Sequence, residues 1–423
     1  MKFLKQSHWG FSVAASLFFA LSLVVPSGYS YGAALMLLTA LLGAGVIRNA
    51  TVQPGTWWLV GMLLAMGLLW GLSFDSAAPW SGSDQWPRYW LAAWALVVGA
   101  SWGVSGVWVC VGLAAGAIGA LGVASYQYLI LGWDKAWGFT NAIQFGGLAM
   151  YMGMACWAMA LFAPRSKLHA VLLWACGACG ILASLLSETR GAWVVAPLLM
   201  VCILVVLWQQ QRKRQAVGAV VAALVLVVAV MVPYGDKFEA RGASAVAELQ
   251  QYLQDPRGSA ETSIGQRLEQ WRVALHMTTQ APLTGWGTQG VVAGKQAMVD
   301  QGLAHPSIMA YGHAHNEVLD MLVKRGAIGL LALMLFYAIP LYAFWPTSRR
   351  LQQVPPALRS MALGLRVAAS LLPVAYFGFG WTQVFFAHNS GNMFYVFALV
   401  VFWSALQQLA GRTWQQHSQR DGQ

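Results

Sequence analysis

Charged side chains are scarce in this sequence, because Asp, Glu, Lys and Arg make up only 9% of 423 residues while hydrophobic residues make up 58%. This composition excludes an ordinary soluble protein and indicates helices embedded in a membrane. The formal net charge of +11 is then explained by basic loops at one membrane face. We therefore expect a lipid bilayer as a partner and no nucleic acid.

Motifs for metal binding and redox chemistry are also lacking. The sequence has no HExxH motif, and all five cysteines lie inside apolar runs. Cys176 and Cys179 form a C-x-x-C pair within "WACGACGILASLL", where hydrocarbon suppresses the thiolate that redox chemistry needs. We expect these cysteines to be small packing residues, and we predict neither a metal nor a cofactor.

About twelve apolar runs are long enough to cross a bilayer, which predicts an all-α polytopic membrane protein. The runs are 9–26, 30–47, 56–73, 88–103, 106–131, 138–163, 168–187, 191–208, 216–234, 326–345, 359–379 and 392–411. The first run is longer than a signal-peptide core and lacks a clear cleavage site, so we expect a retained helix.

The distribution of Lys and Arg sets the orientation, because basic residues concentrate in alternate loops. Both termini are then cytoplasmic. Three parts are predicted: residues 1–234 with nine spans, a large periplasmic loop over 235–325, and residues 326–423 with three spans and a short cytoplasmic tail. Function is expected in the long loop, since connections of this length commonly carry binding or catalytic residues.

Two amphipathic helices are predicted in or beside this loop. Ser263 followed by Gln266 resembles a capping box, and the helical spacing of apolar residues ends at Pro282. A second helix begins near Asn316 and continues into the tenth span. Between them, Gly285, Gly287 and Gly290 have the G-x-G-x-x-G spacing, but no strand precedes them. We interpret them as a tight turn, with amide contacts to a phosphate as the alternative.

Arginines collect at the outer membrane surface. Arg190 lies in "LLSETRGAWVV" beside Glu188, at the junction of the seventh and eighth spans, and Arg267 and Arg272 lie on the first amphipathic helix. A guanidinium can bind a phosphate with two parallel hydrogen bonds. The alternative for Arg190 is snorkelling to lipid headgroups, with Glu188 as its partner.

The stretch "YGHAHNEVLD" contains the most chemically suggestive side chains. His313 and His315 alternate as in a metal-binding pair, yet too few further ligands surround them for a convincing metal site. At the start of the helix entered at Asn316, the helix dipole favours a neutral imidazole at His315. A neutral imidazole can act as a general base; the alternative is a histidine that only caps the helix.

Arginines and a histidine at one water–membrane boundary suit a reaction on a lipid-linked sugar pyrophosphate. The guanidinium groups would stabilise the charge that develops on the pyrophosphate as the glycosyl bond breaks. The spans themselves are almost free of ionisable groups away from their ends. This pattern disfavours an ion-coupled transporter, which normally needs such groups near the bilayer midplane.

At this point the sequence resembles the O-antigen ligase family, whose membrane domain is shared with O-antigen polymerases. The resemblance is carried by "GQRLEQWRVAL" followed by "APLTGWG", and by "HAHNEVLD" running into "KRGAIG". The ligase pattern is His-Asn, nine residues, then Gly-x-x-Tyr or Thr. His315 and Asn316 are followed by nine residues and Gly326, but Gly329 stands at the last position and departs from the pattern.

The resemblance implies a GT-C-type, metal-independent, inverting glycosyltransferase. It would move O-antigen from undecaprenyl pyrophosphate to lipid A-core at the periplasmic face of a Gram-negative inner membrane. In this chain it implies His315 as the base that activates the acceptor hydroxyl, with Arg190 and Arg267 binding the donor pyrophosphate. Further residues expected to support the site are His313, Asn316, Glu317, Arg88, Arg272 and Arg325.

Three alternatives stay open from the sequence. An O-antigen polymerase would use the same donor with a second lipid-linked glycan as acceptor, although no arginine of the large loop shows the Arg-x10-Gly pattern of polymerases. A protein O-oligosaccharyltransferase would use the same donor with a protein acceptor. A lipid or glycan transporter would leave glycosyl bonds unaltered.

Overall fold

A computed structural model describes residues 2–43, 45, 52–72 and 85–420. Within these ranges the chain forms fifteen α-helices. They are α1 (Lys2–Leu21), α2 (Gly28–Leu42), α3 (Pro54–Gly71), α4 (Trp86–Trp102), α5 (Gly106–Ser125), α6 (Ala142–Phe162), α7 (Lys167–Leu186), α8 (Arg190–Gln209), α9 (Lys213–Gln254), α10 (Ser263–Gln280), α11 (Gly287–Asp300), α12 (Glu317–Phe344), α13 (Ser348–Gln352), α14 (Arg359–Phe379) and α15 (Asn389–Arg420).

The predicted class of a polytopic α-helical membrane protein is confirmed. Each predicted apolar run overlaps one helix, and eight helices of the described residues are long and apolar enough to cross a membrane. The apolar parts of α1 and α2 are shorter, and α4 has 17 residues. The number of twelve spans therefore stays a prediction, and the end of the run 30–47 lies outside the described residues.

Three helices, α6, α14 and α15, form the centre of the membrane bundle. About nine-tenths of the most apolar window of each is buried inside the protein, as expected for helices that are apolar on every side. Aromatic side chains of α12, α14 and α15 pack together there, including Phe336, Tyr376 and Tyr395. The Tyr395 hydroxyl donates to the Phe336 carbonyl over 2.8 Å, so burial leaves this polar group satisfied.

The helix of the ninth span is longer than expected. The ninth span was predicted to end at 234, but α9 continues without interruption to Gln254. The predicted loop over 235–325 therefore begins as helix. The Tyr252 hydroxyl, near the end of α9, donates to the Glu269 carboxylate in α10 over 2.8 Å and joins the two helices.

The remainder of the long connection folds on a small apolar core of its own. Residues of α10, α11 and the 3₁₀ turn Pro306–Ala310 pack together, among them Val273, Val291 and Ile308, and Val323 of α12 joins them. The expected capping box at Ser263 is wrong by one residue. The cap is Thr262, whose hydroxyl accepts from the Gly265 amide over 3.0 Å, because Thr262 has the extended backbone of a capping residue.

Helix α12 begins after Asn316 and feeds into the tenth span as predicted, but it is broken at Gly326, where φ is 60° and ψ is −160°. The break leaves amides without partners in the helix. The chain between α10 and α11 supplies them: Ala327 N donates to the Pro282 carbonyl over 2.8 Å, and Ile328 N to the Leu283 carbonyl over 3.2 Å. The long connection is thus bonded directly to a membrane helix.

The glycines between α10 and α11 form the expected turn. Gly285 and Gly287 both have φ of 68°, in the left-handed region, while Gly290 lies within α11. A Cβ at Gly285 would lie 2.5 Å from the Arg325 amide, so the turn also lies directly against the break in α12. This packing gives the glycines a structural role.

We predict that Gly326→Ala destabilises the protein. The conformation of Gly326 is essentially restricted to glycine, and an added Cβ would lie 2.2 Å from the Leu283 backbone. The expected loss is about 1–3 kcal/mol of unfolding free energy, measured as a lower thermal midpoint in detergent. Gly302→Ala is the matched control, because Gly302 has φ of 67° with nothing within 4 Å of its Cβ position. Equal shifts for both variants would contradict a role for close packing at Gly326.

Candidate active site

His315 directly precedes Asn316, the capping residue of α12. Its φ is 52°, a left-handed conformation that is uncommon for a residue other than glycine. The Asn316 side chain accepts from the Leu319 amide over 3.1 Å, and its own amide donates to the Trp381 carbonyl over 3.4 Å. Asn316 therefore caps α12 and fixes the backbone next to His315, and its supporting role in a reaction stays a prediction.

Two buried lysines hold the loop that precedes His315. Lys295 of α11 donates to the Tyr311 carbonyl over 3.1 Å, and Lys324 of α12 donates to the Gly312 carbonyl over 2.9 Å. Lys324 also pairs with Asp320 over 2.8 Å. A loop bonded at successive carbonyls has little freedom, so the unusual backbone at its end is maintained by its surroundings.

The residue before His315 is fixed from two sides. The Ala314 amide donates to the Asp320 carboxylate over 3.0 Å, and the Ala314 carbonyl accepts from the Trp271 indole over 2.9 Å. Because Trp271 belongs to α10 and Asp320 to α12, the position of the histidine depends on the packing of both helices.

The His315 imidazole lies among aromatic rings and amides. Its ring is edge-on to Tyr311 at 4.5 Å and to His313 at 4.4 Å between ring centroids. The Gln383 side chain lies within hydrogen-bonding reach of the imidazole. The His315 Nδ1 atom is buried without a hydrogen-bond partner among the residues that the structure describes. One ring nitrogen is thus left for a substrate group.

Burial, followed by the nearby positive charge of Arg267, lowers the pKa of His315 to about 4. The imidazole is therefore neutral at neutral pH. A neutral ring was expected from the helix dipole, and the structure adds burial and Arg267 as causes. A neutral imidazole has a free lone pair and can accept a proton.

Arg267 and Arg190 form a cationic pair beside His315. Arg267 in α10 is half-buried, and burial followed by the proximity of Arg190 lowers its pKa. Its guanidinium has no hydrogen bond or ion pair within the described part of the chain. Arg190 and Glu248 both lie near Arg267, and two arginines held near each other favour binding of an anion between them.

Arg190 is the first residue of α8 and is exposed. The alternative considered from the sequence, a snorkelling arginine with Glu188 as its partner, stays a prediction. At the amino end of a helix, the backbone dipole adds to the positive potential of its side chain. The structure thus brings Arg190, Arg267 and His315 into one cluster.

His313 belongs to the same cluster. Its Nδ1 accepts from the His315 amide over 3.4 Å, and its ring lies 5.9 Å from that of His388. Burial, then His315, lowers its pKa to about 4. No group of three or more His, Cys, Asp or Glu residues is arranged for a metal among residues 2–43, 45, 52–72 and 85–420.

Glu317 does not reach the site. Its amide donates to the Gly380 carbonyl over 2.7 Å, and its carboxylate accepts from the Phe386 amide over 3.1 Å. It is almost fully buried. Glu317 therefore anchors the turn between α14 and α15, and the supporting role expected for it is indirect.

Arg272 is also outside the site. It makes two hydrogen bonds to the Glu269 carboxylate, of 2.9 and 2.7 Å, and donates to the Leu303 carbonyl over 2.7 Å. The hydrogen bonds to Glu269 raise the pKa of Arg272. Its guanidinium is used to join α10 to the chain after α11.

Arg325 and Arg88 are likewise held by protein groups. Arg325 donates to the Leu69 carbonyl over 3.1 Å and lies 4.2 Å from the centre of the Trp70 ring. Arg88 donates to the Asn389 side chain over 2.7 Å. The three arginines and one carboxylate proposed to support the central cluster all have protein partners and serve the packing of the helices.

Three residues of the site were missed by sequence reasoning. Lys295 lies alone on an amphipathic helix, where a solvated lysine is the ordinary expectation, yet it is buried and donates to Gln270 over 2.6 Å. Gln383 and His388 come from the turn between α14 and α15, far away in sequence. Only the packing of that turn against α12 reveals them.

We predict opposite effects on stability for two neighbouring arginines. Arg272→Ala leaves the buried Glu269 carboxylate without its main partner and lowers the unfolding free energy by about 1–3 kcal/mol. Arg267→Ala removes a half-buried charge without a partner and leaves the thermal midpoint unchanged or higher. Thermal unfolding of both variants in detergent checks this, and an equal loss for both would assign Arg267 to a structural contact.

Comparison with known proteins agrees with the motifs. Residues 171–334, from α7 to α12, match the family described as O-antigen ligase, and this segment includes Arg190, Arg267 and His315. A protein of Haemophilus influenzae, described as an uncharacterized protein, is 26% identical over 282 residues, which cover 66% of this chain and 68% of that protein. Residues 171–334 are therefore similar to the O-antigen ligase family.

Proposed function

We propose that this protein is an O-antigen ligase, which transfers O-antigen polysaccharide from undecaprenyl pyrophosphate to lipid A-core. The similarity of residues 171–334 to this family supports a membrane enzyme of the ligase or polymerase type. The observation that carries the finer proposal is the cluster of a neutral imidazole at His315 with two arginines, Arg267 beside it and Arg190 near Arg267.

The cations suit the donor. A pyrophosphate offers several anionic oxygens, and two guanidinium groups can hold them through paired charge-assisted hydrogen bonds. Arg190 at the start of α8 and Arg267 on α10 would bind it from two elements. As the bond between the anomeric carbon and the pyrophosphate oxygen breaks, both electrons leave with the pyrophosphate, and the guanidinium groups would stabilise that charge.

The imidazole suits the acceptor. His315 would take the proton from a core-sugar hydroxyl while that oxygen attacks the anomeric carbon from the opposite side, which inverts the configuration there. The products are the new glycosidic bond, undecaprenyl pyrophosphate and a protonated imidazole that releases its proton to water. His313 and Gln383 would orient the His315 ring, and no metal is required for this sequence of events.

The location of this chemistry is part of the proposal. The GT-C-type architecture, cytoplasmic termini and a periplasmic site in the inner membrane follow from the resemblance and from the distribution of basic residues. The start of α8 and the start of α12 lie at the same end of the bundle, which is consistent with a site at one membrane surface.

The first prediction of this proposal concerns His315. Purified protein in proteoliposomes, with undecaprenyl-pyrophosphate-linked glycan, lipid A-core and EDTA, is expected to place glycan on the core. His315→Ala should reduce transfer by about 10²-fold or more. His276→Ala is the matched control, because His276 is an exposed histidine of α10. Full activity of His315→Ala would remove it from the mechanism.

Product analysis in the same assay separates the alternatives. Lengthened lipid-linked glycan would indicate a polymerase, and glycan on added acceptor protein would indicate a protein O-oligosaccharyltransferase. Movement of intact donor across the bilayer with no change of glycosyl bonds would indicate a transporter. Each of these outcomes, without glycan on lipid A-core, would overturn the ligase proposal.

The second prediction concerns pH. Because the pKa of His315 is lowered to about 4, the base is neutral above that pH, and kcat/KM should stay level from neutral pH down to about 5 before it falls. Bound pyrophosphate adds negative charge and should raise this pKa, so the acid limb of kcat should lie at higher pH. Rate profiles at low and saturating donor measure both limbs. A fall of kcat/KM centred near pH 6.5 would contradict a buried base.

A further inference from the structure

A cationic cavity lies at the opposite end of the helix bundle from His315. It has a volume of about 730 Å³ and is lined by residues of α3, α12, α14 and α15, with Arg350 and Arg366 as its charged groups. This size is within the range of about 300–1,000 Å³ typical of ligand sites. The proposed transfer reaction uses none of these residues.

Helices α3 and α12 show at which end of the bundle the cavity lies. Its lining includes Pro54 at the start of α3 and Ala343 at the end of α12. The opposite ends of the same helices meet at Arg325, which donates to the Leu69 carbonyl beside the break in α12. The cavity and the histidine cluster therefore lie at opposite ends of the spans, and the cavity is at the end predicted to be cytoplasmic.

The two arginines retain donors after their protein contacts are made. Arg366 donates to the Ala343 carbonyl over 3.1 Å, and Arg350 donates to the Trp345 carbonyl over 3.1 Å. A guanidinium has five N–H donors, so most of them are left over. Arg366 is only 7% exposed, and its Nε is buried with no hydrogen-bond partner within the described part of the chain.

A buried guanidinium nitrogen without an acceptor is costly, and an anionic oxygen in the cavity would satisfy it. No Asp or Glu is among the described residues that line the cavity. The charge of the two arginines is therefore complementary to a phosphate.

The remaining lining is suited to hydrocarbon. Trp58 is 69% exposed and Tyr342 is 75% exposed at the cavity, and Ile339 and Trp403 add further apolar surface. The helices that form the walls are apolar enough to cross a membrane, so the opening between them faces acyl chains. Exposed Trp and Tyr at span ends are typical of the headgroup region.

We propose that this cavity binds an anionic phospholipid of the surrounding leaflet. The phosphate lies between Arg350 and Arg366, and the acyl chains run along Trp58 and Tyr342. Arg350 is oriented for this by stacking over the Tyr342 ring at 4.6 Å. Basic pockets between membrane helices on the cytoplasmic side are suited to anionic headgroups.

The test is a lipid titration of the full-length protein in detergent. Phosphatidylglycerol should raise the thermal midpoint of the wild type in a saturable manner, and phosphatidylcholine or inorganic phosphate should raise it by less than half as much. Arg350→Gln and Trp58→Ala should each reduce the phosphatidylglycerol shift at least twofold. Both residues have exposed or half-buried side chains, so these variants should fold.

Arg359→Gln is the matched control. Arg359 is at the same end of the bundle and donates to the Val354 carbonyl over 3.2 Å, but it does not line this cavity. The Arg359→Gln variant should show the full rise of the thermal midpoint with phosphatidylglycerol. Equal shifts in all variants, or equal shifts with phosphatidylcholine, would overturn the proposal. A full effect of inorganic phosphate alone would identify a simple anion site instead.

Discussion

The break of α12 at Gly326 is the constraint on which the rest of the site depends. Because the backbone leaves helical geometry at one residue, two amides need acceptors, and the carbonyls of Pro282 and Leu283 provide them. The membrane bundle and the helices of the long connection are joined by backbone hydrogen bonds, which do not depend on flexible side chains. The direction of α12 before the break then sets the place of Asn316 and of the histidine before it.

The arginines near this junction differ in their partners. Those bonded to protein groups have a structural role, and the others are proposed to bind the donor. Arg272 and Arg325 have their donors satisfied by a carboxylate or a carbonyl and join helices. Arg190 and Arg267 lie close to each other, with Glu248 as an acidic neighbour of Arg267, and Arg267 helps to keep the His315 imidazole neutral. One set of cations can therefore both bind an anion and keep a nearby base unprotonated.

Much of the fold could be predicted because membrane helices require long apolar runs, and each such run overlaps a helix of the described residues. Boundaries were harder where the chain leaves the bilayer: α9 continues past 234, and Thr262 takes the cap expected at Ser263. Local propensity alone does not decide such ends. The central residues His315, Arg190 and Arg267 were identified because ionisable groups stand out in an apolar sequence. Glu317 stood out equally, yet its carboxylate serves a backbone amide.

The sequence by itself determined the helical membrane class, the long connection and the few residues able to carry chemistry, since these follow from hydropathy and residue type. Tertiary structure decided which of those residues meet. Only the packing of α11 and of the turn before α15 against α12 brings Lys295 and Gln383 to His315, and His388 to His313. Hydrogen-bond partners, burial and the resulting pKa values depend on distances between remote segments, which residue order does not specify.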